Sequence, residues 1–344
     1  MMRAWCATVA VCLLVIALLA VPAGAQDLQA LLQQAQELLD GKQYEQAIAA
    51  YDGIIAQHAD SAEAYSGRGT AHRMKSDFDR ALADFEKALE LKPDLASAWR
   101  GRGIIHGERG DYDTAITHFE KALELDPYYA AAYNSLGAAY LYKGQLERGI
   151  QQLNRAIDLD PEYVDAYTAR GAAYTFKGDF ERAIADFDKA VELDPTDPLA
   201  LTNRGGAHMK MGAAERAIGD FDRALQLDEN FALAYANRGV AYMAKGEPDK
   251  ALSDLARAVM LNPYHAQALF NLGLAQEAVG NYAGAIEAYT AFLRLSEGAP
   301  GGLYNRARAC RALAVEDCKR VLEAAPAGET AKAAKKLLEA MGEE

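Results

Sequence analysis

The chain has 344 residues, 51% of them hydrophobic, a formal net charge of −13 and a pI of about 5.0. That is enough apolar surface to bury the core of two ordinary domains or of one long repeat array. The acidic balance argues against a nucleic-acid binder, which needs a basic face toward phosphate, and makes a basic or apolar partner the more comfortable one.

The first element is a targeting segment over residues 1–25. Arg3 supplies a positive charge, an apolar run comes next, Pro22 breaks the helix, and Ala23-Gly24-Ala25 gives a small-x-small cleavage pattern before Gln26. Cleavage there implies export, with a bacterial periplasm the expected destination. The alternative is an uncleaved anchor, because residues 4–21 form an 18-residue apolar run that is borderline for crossing a bilayer. No cysteine stands directly after the cleavage site, which argues against a lipid-anchored N-terminus. Cleavage also removes Cys6 and Cys12 and leaves two cysteines, Cys310 and Cys318.

From residue 28 onward the chain is periodic, faintly at first and then plainly. Prolines stand at Pro93, Pro127, Pro161 and Pro195, 34 residues apart, and the step returns at Pro263. Glycines keep the same step at Gly69, Gly103, Gly137, Gly171, Gly205, Gly239 and Gly273. A fixed period of this size marks a stacked repeat array. With repeats counted from residues 62, 96, 130, 164, 198, 232 and 266, position 4 is bulky, from Tyr65 and Trp99 to Leu269. Position 20 is alanine except at Gly149, and position 24 carries Phe85, Phe119, Leu153, Phe187, Phe221, Leu255 and Tyr289. Apolar spacing gives two helices per repeat: in 164–197, Ala166, Tyr167, Ala169, Ala173 and Tyr174 line the first, and Ala183, Ile184, Phe187 and Ala190 line the second. Lys177-Gly178-Asp179 makes the turn, and Asp194-Pro195 ends the pair.

This pattern resembles the tetratricopeptide repeat (TPR) family. The resemblance covers seven repeats, 62–95, 96–129, 130–163, 164–197, 198–231, 232–265 and 266–299. It extends in degenerate form to 28–61, through Leu31, Ala35, Ala47, Tyr51 and Ile54. It implies an all-α TPR α-solenoid, a right-handed superhelix of stacked antiparallel helix pairs whose first helices line a concave groove. Carried over, position 6 places Asn203, Asn237, Asn271 and Asn305 in that groove, as in TPR superhelices whose asparagines hold an extended peptide backbone. An amide donates to C=O and accepts from N–H at once, so it binds backbone without choosing side chains. The alternative is that asparagine is simply common at this position. Arg100, Asn134, Tyr142 and Phe176 are further groove candidates. The lysine and asparagine with which some family members clamp a C-terminal carboxylate are not reproduced: position 5 carries Ser66, Arg100 and Asn134, and position 9 carries Thr70, Ile104 and Ala138.

Position 7 raises a separate question. Arg68, Arg102, Arg170, Arg204 and Arg238 each precede the periodic glycine. Antiparallel helices turning near position 15 bring position 7 opposite position 23 or 24. Position 23 is Asp84, Asp186, Asp220 and Asp254 in four of those five repeats, and it is not aspartate where position 7 is Leu136 or Leu272. The co-occurrence predicts ion pairs Arg68–Asp84, Arg170–Asp186, Arg204–Asp220 and Arg238–Asp254, with Arg102 opposite His118 the exception. The competing reading turns these arginines into the groove to bind an anion.

Other motifs dissolve into the repeat. Arg109-Gly110-Asp111 spells an adhesion tripeptide, yet Lys177-Gly178-Asp179 and Lys245-Gly246-Glu247 occupy the same turn. His72, His106 and His208 share position 11 with Tyr140, Tyr174 and Tyr242, a whole repeat apart, so each reads as a packed ring before it reads as a metal ligand. No nucleophile elbow, HExxH or phosphate loop is present, and no cofactor or metal is expected.

After the break at Ser296–Gly302 the pattern fades, and residues 300–344 read as a degenerate repeat and then a capping helix near Thr330–Met341. In an oxidising compartment Cys310 and Cys318 read first as a disulfide. A straight helix would set them about 12 Å apart. A bridge therefore requires a helical hairpin turning near Leu313–Glu316. The expected function is a non-enzymatic scaffold that binds a peptide or protein in its groove, with membrane contact only through the partner or an uncleaved signal segment. The alternative is a structural assembly subunit that uses its ends and convex surface, and the oligomeric state is open.

Overall fold

The computed structural model describes residues 28–343, so the targeting segment read over residues 1–25 lies outside the described residues. Every regular element among the described residues is a helix. The chain divides into two compact units, residues 1–169 and 170–344. In the first unit the helices are α1 (Leu28–Asp40), α2 (Tyr44–Gln57), α3 (Ala62–Met74), α4 (Phe78–Leu91), α5 (Ala96–Glu108), α6 (Tyr112–Leu125), α7 (Ala130–Tyr142) and α8 (Leu146–Leu159). The dividing point falls inside α9 (Val164–Lys177). The second unit continues with α10 (Phe180–Leu193), α11 (Pro198–Lys210), α12 (Ala214–Leu227), α13 (Ala232–Ala244), α14 (Pro248–Leu261), α15 (Ala266–Ala278), α16 (Tyr282–Leu295), α17 (Pro300–Ala324) and α18 (Glu329–Ala340).

Local chemistry sets the helix ends. In the turn between α5 and α6, Gly110 adopts φ +82°, a left-handed conformation that a side chain would strain. Asp111 then caps α6, its carboxylate accepting the Thr114 N–H at 3.1 Å. Arg109 of the same tripeptide reaches back to Asp79 at 2.8 Å, so all three residues serve the turn and the stacking of repeats. From α6 to α14 each second helix ends where an acidic or amide side chain turns the chain: Asp126 accepts from the Tyr128 N–H at 3.0 Å, and Asp228 from the Asn230 N–H at 2.9 Å.

The core of the first unit is a string of clusters shared between neighbouring repeats. Phe85 of α4 packs with Ala98 and Ile105 of α5, and Tyr51 of α2 packs with Ala64 and Ala71 of α3. The second unit repeats the scheme: Phe187 with Ala207, Phe221 with Ala241, Leu255 with Ala275 and Tyr289 with Ala309. The two helices of a repeat meet across the glycine at position 8. A Cβ built on Gly205 would lie 2.6 Å from the Phe221 ring, so the ring fits only against bare backbone. Burying such rings away from water is the main stabilising term, and no hairpin can do it alone.

The C-terminal end departs from expectation. α17 is one continuous helix of 25 residues that carries both Cys310, exposed, and Cys318, buried, as free thiols. No hairpin turns at Leu313–Glu316, because Leu-Ala-Val-Glu holds no glycine, proline or asparagine to break a helix. Eight helical residues separate the sulfurs by about 12 Å of rise, so the disulfide is ruled out in this structure. Cys318 instead packs with Ala334 and Leu338 of the terminal helix α18.

Candidate functional site

In the first unit the first helices frame two adjoining cavities of about 520 and 470 Å³. Arg100 lines both. Its Nε donates to the Ala131 carbonyl at 3.1 Å and to Ser135 Oγ at 3.0 Å, which fixes the guanidinium across the gap from α5 to α7. Arg73 donates to Glu108 at 2.9 Å on the same wall. In the larger cavity Asn134 presents a buried Oδ1 with no hydrogen-bond partner among the described residues. Tyr142 is 73% exposed and stacks flat on Tyr112, with ring centroids 5.3 Å apart and planes 4° apart. The smaller cavity is bordered by Gln29, Gln33 and Gln36 of α1 together with Ser66 and Ser97, a wall rich in amides and hydroxyls.

In the second unit a cavity of about 380 Å³ lies between α11, α13 and α15. Asn237 and Asn271 line it with Met209 and Val240, so polar amides are set among apolar side chains. Asn271 Oδ1 accepts from Gln267 Nε2 at 3.2 Å. Asn203, Asn237 and Asn305 are half-buried, and among the described residues their side chains make no hydrogen bond within the chain. The position-6 side chain stands beside the position-24 ring of the preceding repeat, as Asn237 stands beside Phe221 on the cavity wall. Phe176, 82% exposed, lies outside that wall.

The position-7 arginines take no part in these cavities. All but Arg102 grip the aspartate 16 residues ahead with two parallel bonds. Arg68 Nε and Nη2 donate to Asp84 at 2.9 and 2.6 Å, and Arg170 donates to Asp186 at 2.9 and 2.6 Å. Arg204 donates to Asp220 at 3.0 and 2.5 Å, and Arg238 donates to Asp254 at 2.7 and 2.8 Å. These carboxylates are buried, and the fork geometry suits planar guanidinium to planar carboxylate. Bonding to Asp84, then to Asp52, raises the Arg68 pKa above its ordinary value against the opposing effect of burial. Sequence reasoning missed the second carboxylate, held by Nη1: Asp52 at 2.6 Å from Arg68, Asp188 at 2.7 Å from Arg204 and Asp222 at 2.6 Å from Arg238. The signal was present, since each lies 16 residues before its arginine. His72 and His208 sit beside this ladder, with Nε2 4.0 Å from Asp84 and 3.9 Å from Asp220. Their rings pack where other repeats place tyrosine.

The tetratricopeptide repeat pattern matches residues 32–96, 134–198, 168–232, 202–266, 236–300 and 270–336, and a second TPR repeat pattern matches residues 105–144. No curated protein matches the chain. Among solved structures the chain is similar to one in the crystal structure of the APC/C hetero-tetramer Cut9–Hcn1, at 20% identity and a TM-score of 0.70, covering 81% of this chain and 55% of that one. It is similar to a tetratricopeptide repeat protein from Parabacteroides merdae, at 18% identity and a TM-score of 0.53, covering 73% of this chain and 100% of that one. It is similar also to pilF of Pseudomonas aeruginosa, at 20% identity and a TM-score of 0.54, covering 62% of this chain and 96% of that one. At these identities the likeness shows the fold alone.

Proposed function

This chain belongs to the tetratricopeptide repeat family, whose fold is a protein-interaction scaffold, and from that premise we propose that it is a non-enzymatic adaptor that holds an extended segment of a partner protein outside the cytoplasm. The supporting observation is the row of position-6 amides in the second unit. Asn203 and Asn237 have no intramolecular hydrogen-bond partner among the described residues, and Asn237 and Asn271 share one cavity with Met209 and Val240. An amide left unpaired in a half-buried wall is disposed to meet the N–H and C=O groups of an extended strand, while the apolar neighbours accept its side chains. The net charge of −13 favours a partner segment that is basic or apolar overall. Residues 1–25 would direct export and be removed before Gln26.

The partner is to be captured by crosslinking in the native compartment and identified, and its binding then measured against the triple variant Asn203→Ala, Asn237→Ala, Asn271→Ala. Loss of three hydrogen bonds of about 1 kcal/mol each weakens binding by about 100-fold, with the circular dichroism of the scaffold unchanged. Unchanged affinity would show that the partner does not use this groove. Sequencing of the mature N-terminus checks export: Gln26 as first residue supports cleavage, whereas an intact leader favours an anchor at residues 4–21.

A further inference from the structure

One hairpin of the first unit breaks the arginine–carboxylate rule. Arg102 of α5 lies over the Trp99 ring at 5.5 Å, as Arg68 lies over Tyr65 at 5.4 Å and Arg238 over Tyr235 at 5.5 Å. The guanidinium therefore occupies the usual place. Its surroundings differ on both sides. The residue 16 ahead is His118, and the residue 16 behind is Glu86, which is exposed. Among the described residues Arg102 makes no ion pair, and its Nε is buried without a hydrogen-bond partner. His118 cannot serve as a substitute for aspartate. Its Nδ1 is likewise buried and unpartnered, and its ring packs 5.5 Å from Trp99 and 5.1 Å from His106. Burial, then the nearby Arg102, pushes the His118 pKa down to about 4, so the ring is neutral near pH 7.

We propose that the exposed Nη edge of Arg102, framed by Trp99 and His118, is a docking point for one carboxylate brought by a partner protein, an aspartate or glutamate side chain. The same chain shows what this edge accepts. In the hairpins of Arg68, Arg204 and Arg238, Nη1 holds an aspartate carboxylate at 2.6–2.7 Å. A half-buried guanidinium with neutral rings on its inner side keeps an unmet charge, and a carboxylate is its planar, charge-assisted complement. The site is separate from the groove. Arg100, Ile104 and Gly107 of α5 line the groove cavity, whereas Trp99, Arg102 and His106 form another stripe of the helix that contributes nothing to it. The inference thus stands or falls independently of the peptide-groove reading.

Trp99 provides the readout. The chain has two tryptophans, so the full-length Trp5→Phe protein leaves Trp99 alone beside Arg102. This protein is titrated with the end-blocked tripeptide Ala-Glu-Ala at about 0.15 M salt, where a Debye length of about 8 Å screens the distant negative charge. The expected result is a saturable change in Trp99 emission that the matched Ala-Gln-Ala peptide does not produce. Arg102→Leu copies the natural Leu136 and Leu272 hairpins, so it should fold, and it should abolish the response. His118→Asp supplies the internal carboxylate of the sibling hairpins and should weaken binding about tenfold, the worth of one charge-assisted hydrogen bond. Three results would overturn the proposal: an equal response to Ala-Gln-Ala, a response that survives Arg102→Leu, or a response that appears only after Glu86→Ala. Inorganic phosphate is titrated in parallel, and binding of phosphate without binding of Ala-Glu-Ala would also overturn it.

Discussion

Arg68, Arg204 and Arg238 each sit between two carboxylates, and the two carry unequal weight. In the Arg204 hairpin, Asp220 is 7% exposed, whereas the Asp188 side chain is 58% exposed. Removing the arginine therefore strands a buried charge, which is the expensive event. Arg204→Leu is expected to cost about 3 kcal/mol in urea unfolding. Adding Asp220→Gln recreates the Leu136–Gln152 combination already present in the chain, and should bring stability back to within about 1 kcal/mol of wild type. No recovery in the double variant would mean that the pair acts through something other than charge compensation. His118 offers a titration at the same scale. Folded, its pKa is depressed to about 4 by burial, then by Arg102 and His106, with Asp111 opposing. Unfolded, it returns to about 6.5. Between those values the unfolded state binds the extra proton, so stability falls as pH drops from about 6.5 to about 4 and loses nothing further from this group below that. His118→Gln should flatten the melting temperature between pH 7 and pH 5 relative to wild type, and an unchanged slope would refute the assignment. The first carboxylate of each pair was legible in the sequence because repeats serve as their own alignment: Asp84, Asp186, Asp220 and Asp254 come and go with the arginine. The second was not, because it belongs to the preceding repeat and the pattern within one hairpin does not cross that boundary.

The helix pair is built on a distinction between glycines that look alike in sequence. Gly205 and Gly206 are adjacent in α11. A side chain on Gly205 would meet the Phe221 ring at 2.6 Å, whereas one on Gly206 meets nothing within 4 Å. Gly205→Ala therefore overpacks the joint between α11 and α12 and should cost roughly 1–3 kcal/mol. Gly206→Ala relieves a helix of a poor helix former with no clash, and should stabilise by up to about 1 kcal/mol. Opposite signs in thermal melts of the two variants test the packing account, and equal signs defeat it. The 34-residue period fixes which glycine is structural, so this part of the fold was readable from Gly69 through Gly273. What was not readable lies where the period stops. Cys310 and Cys318 sit beyond the last full repeat, with no neighbouring copies to compare, and the helix runs on through Leu313–Glu316 for want of a breaking residue. The groove amides are an intermediate case. Their register at Asn203, Asn237 and Asn271 comes from the repeat, but whether each is paired depends on neighbours such as Gln267, one helical turn before Asn271, which the repeat does not constrain.

Repeat architecture also determines how far a perturbation travels. Within the second unit α11 packs on α10 and α12 and touches α13, and no helix there is packed against one distant in sequence. Stability in such an array is nearly a sum of hairpin terms and nearest-neighbour terms. The core clusters show this directly, since Phe187 of one repeat is completed by Ala207 of the next, and Phe221 by Ala241. A lesion at Arg204 should accordingly stay local. Hydrogen exchange on Arg204→Leu is expected to show faster amide exchange in α11 and α12, a smaller rise in α10 and α13, and no change in α3 and α4 of the first unit. Uniform acceleration along the chain would instead mean a single cooperative unit, and the charge at Asp220 would then be felt by every repeat. The distinction bears on the proposed groove binding, because a scaffold whose hairpins respond separately could loosen one stretch around a partner while its remaining repeats keep their registration.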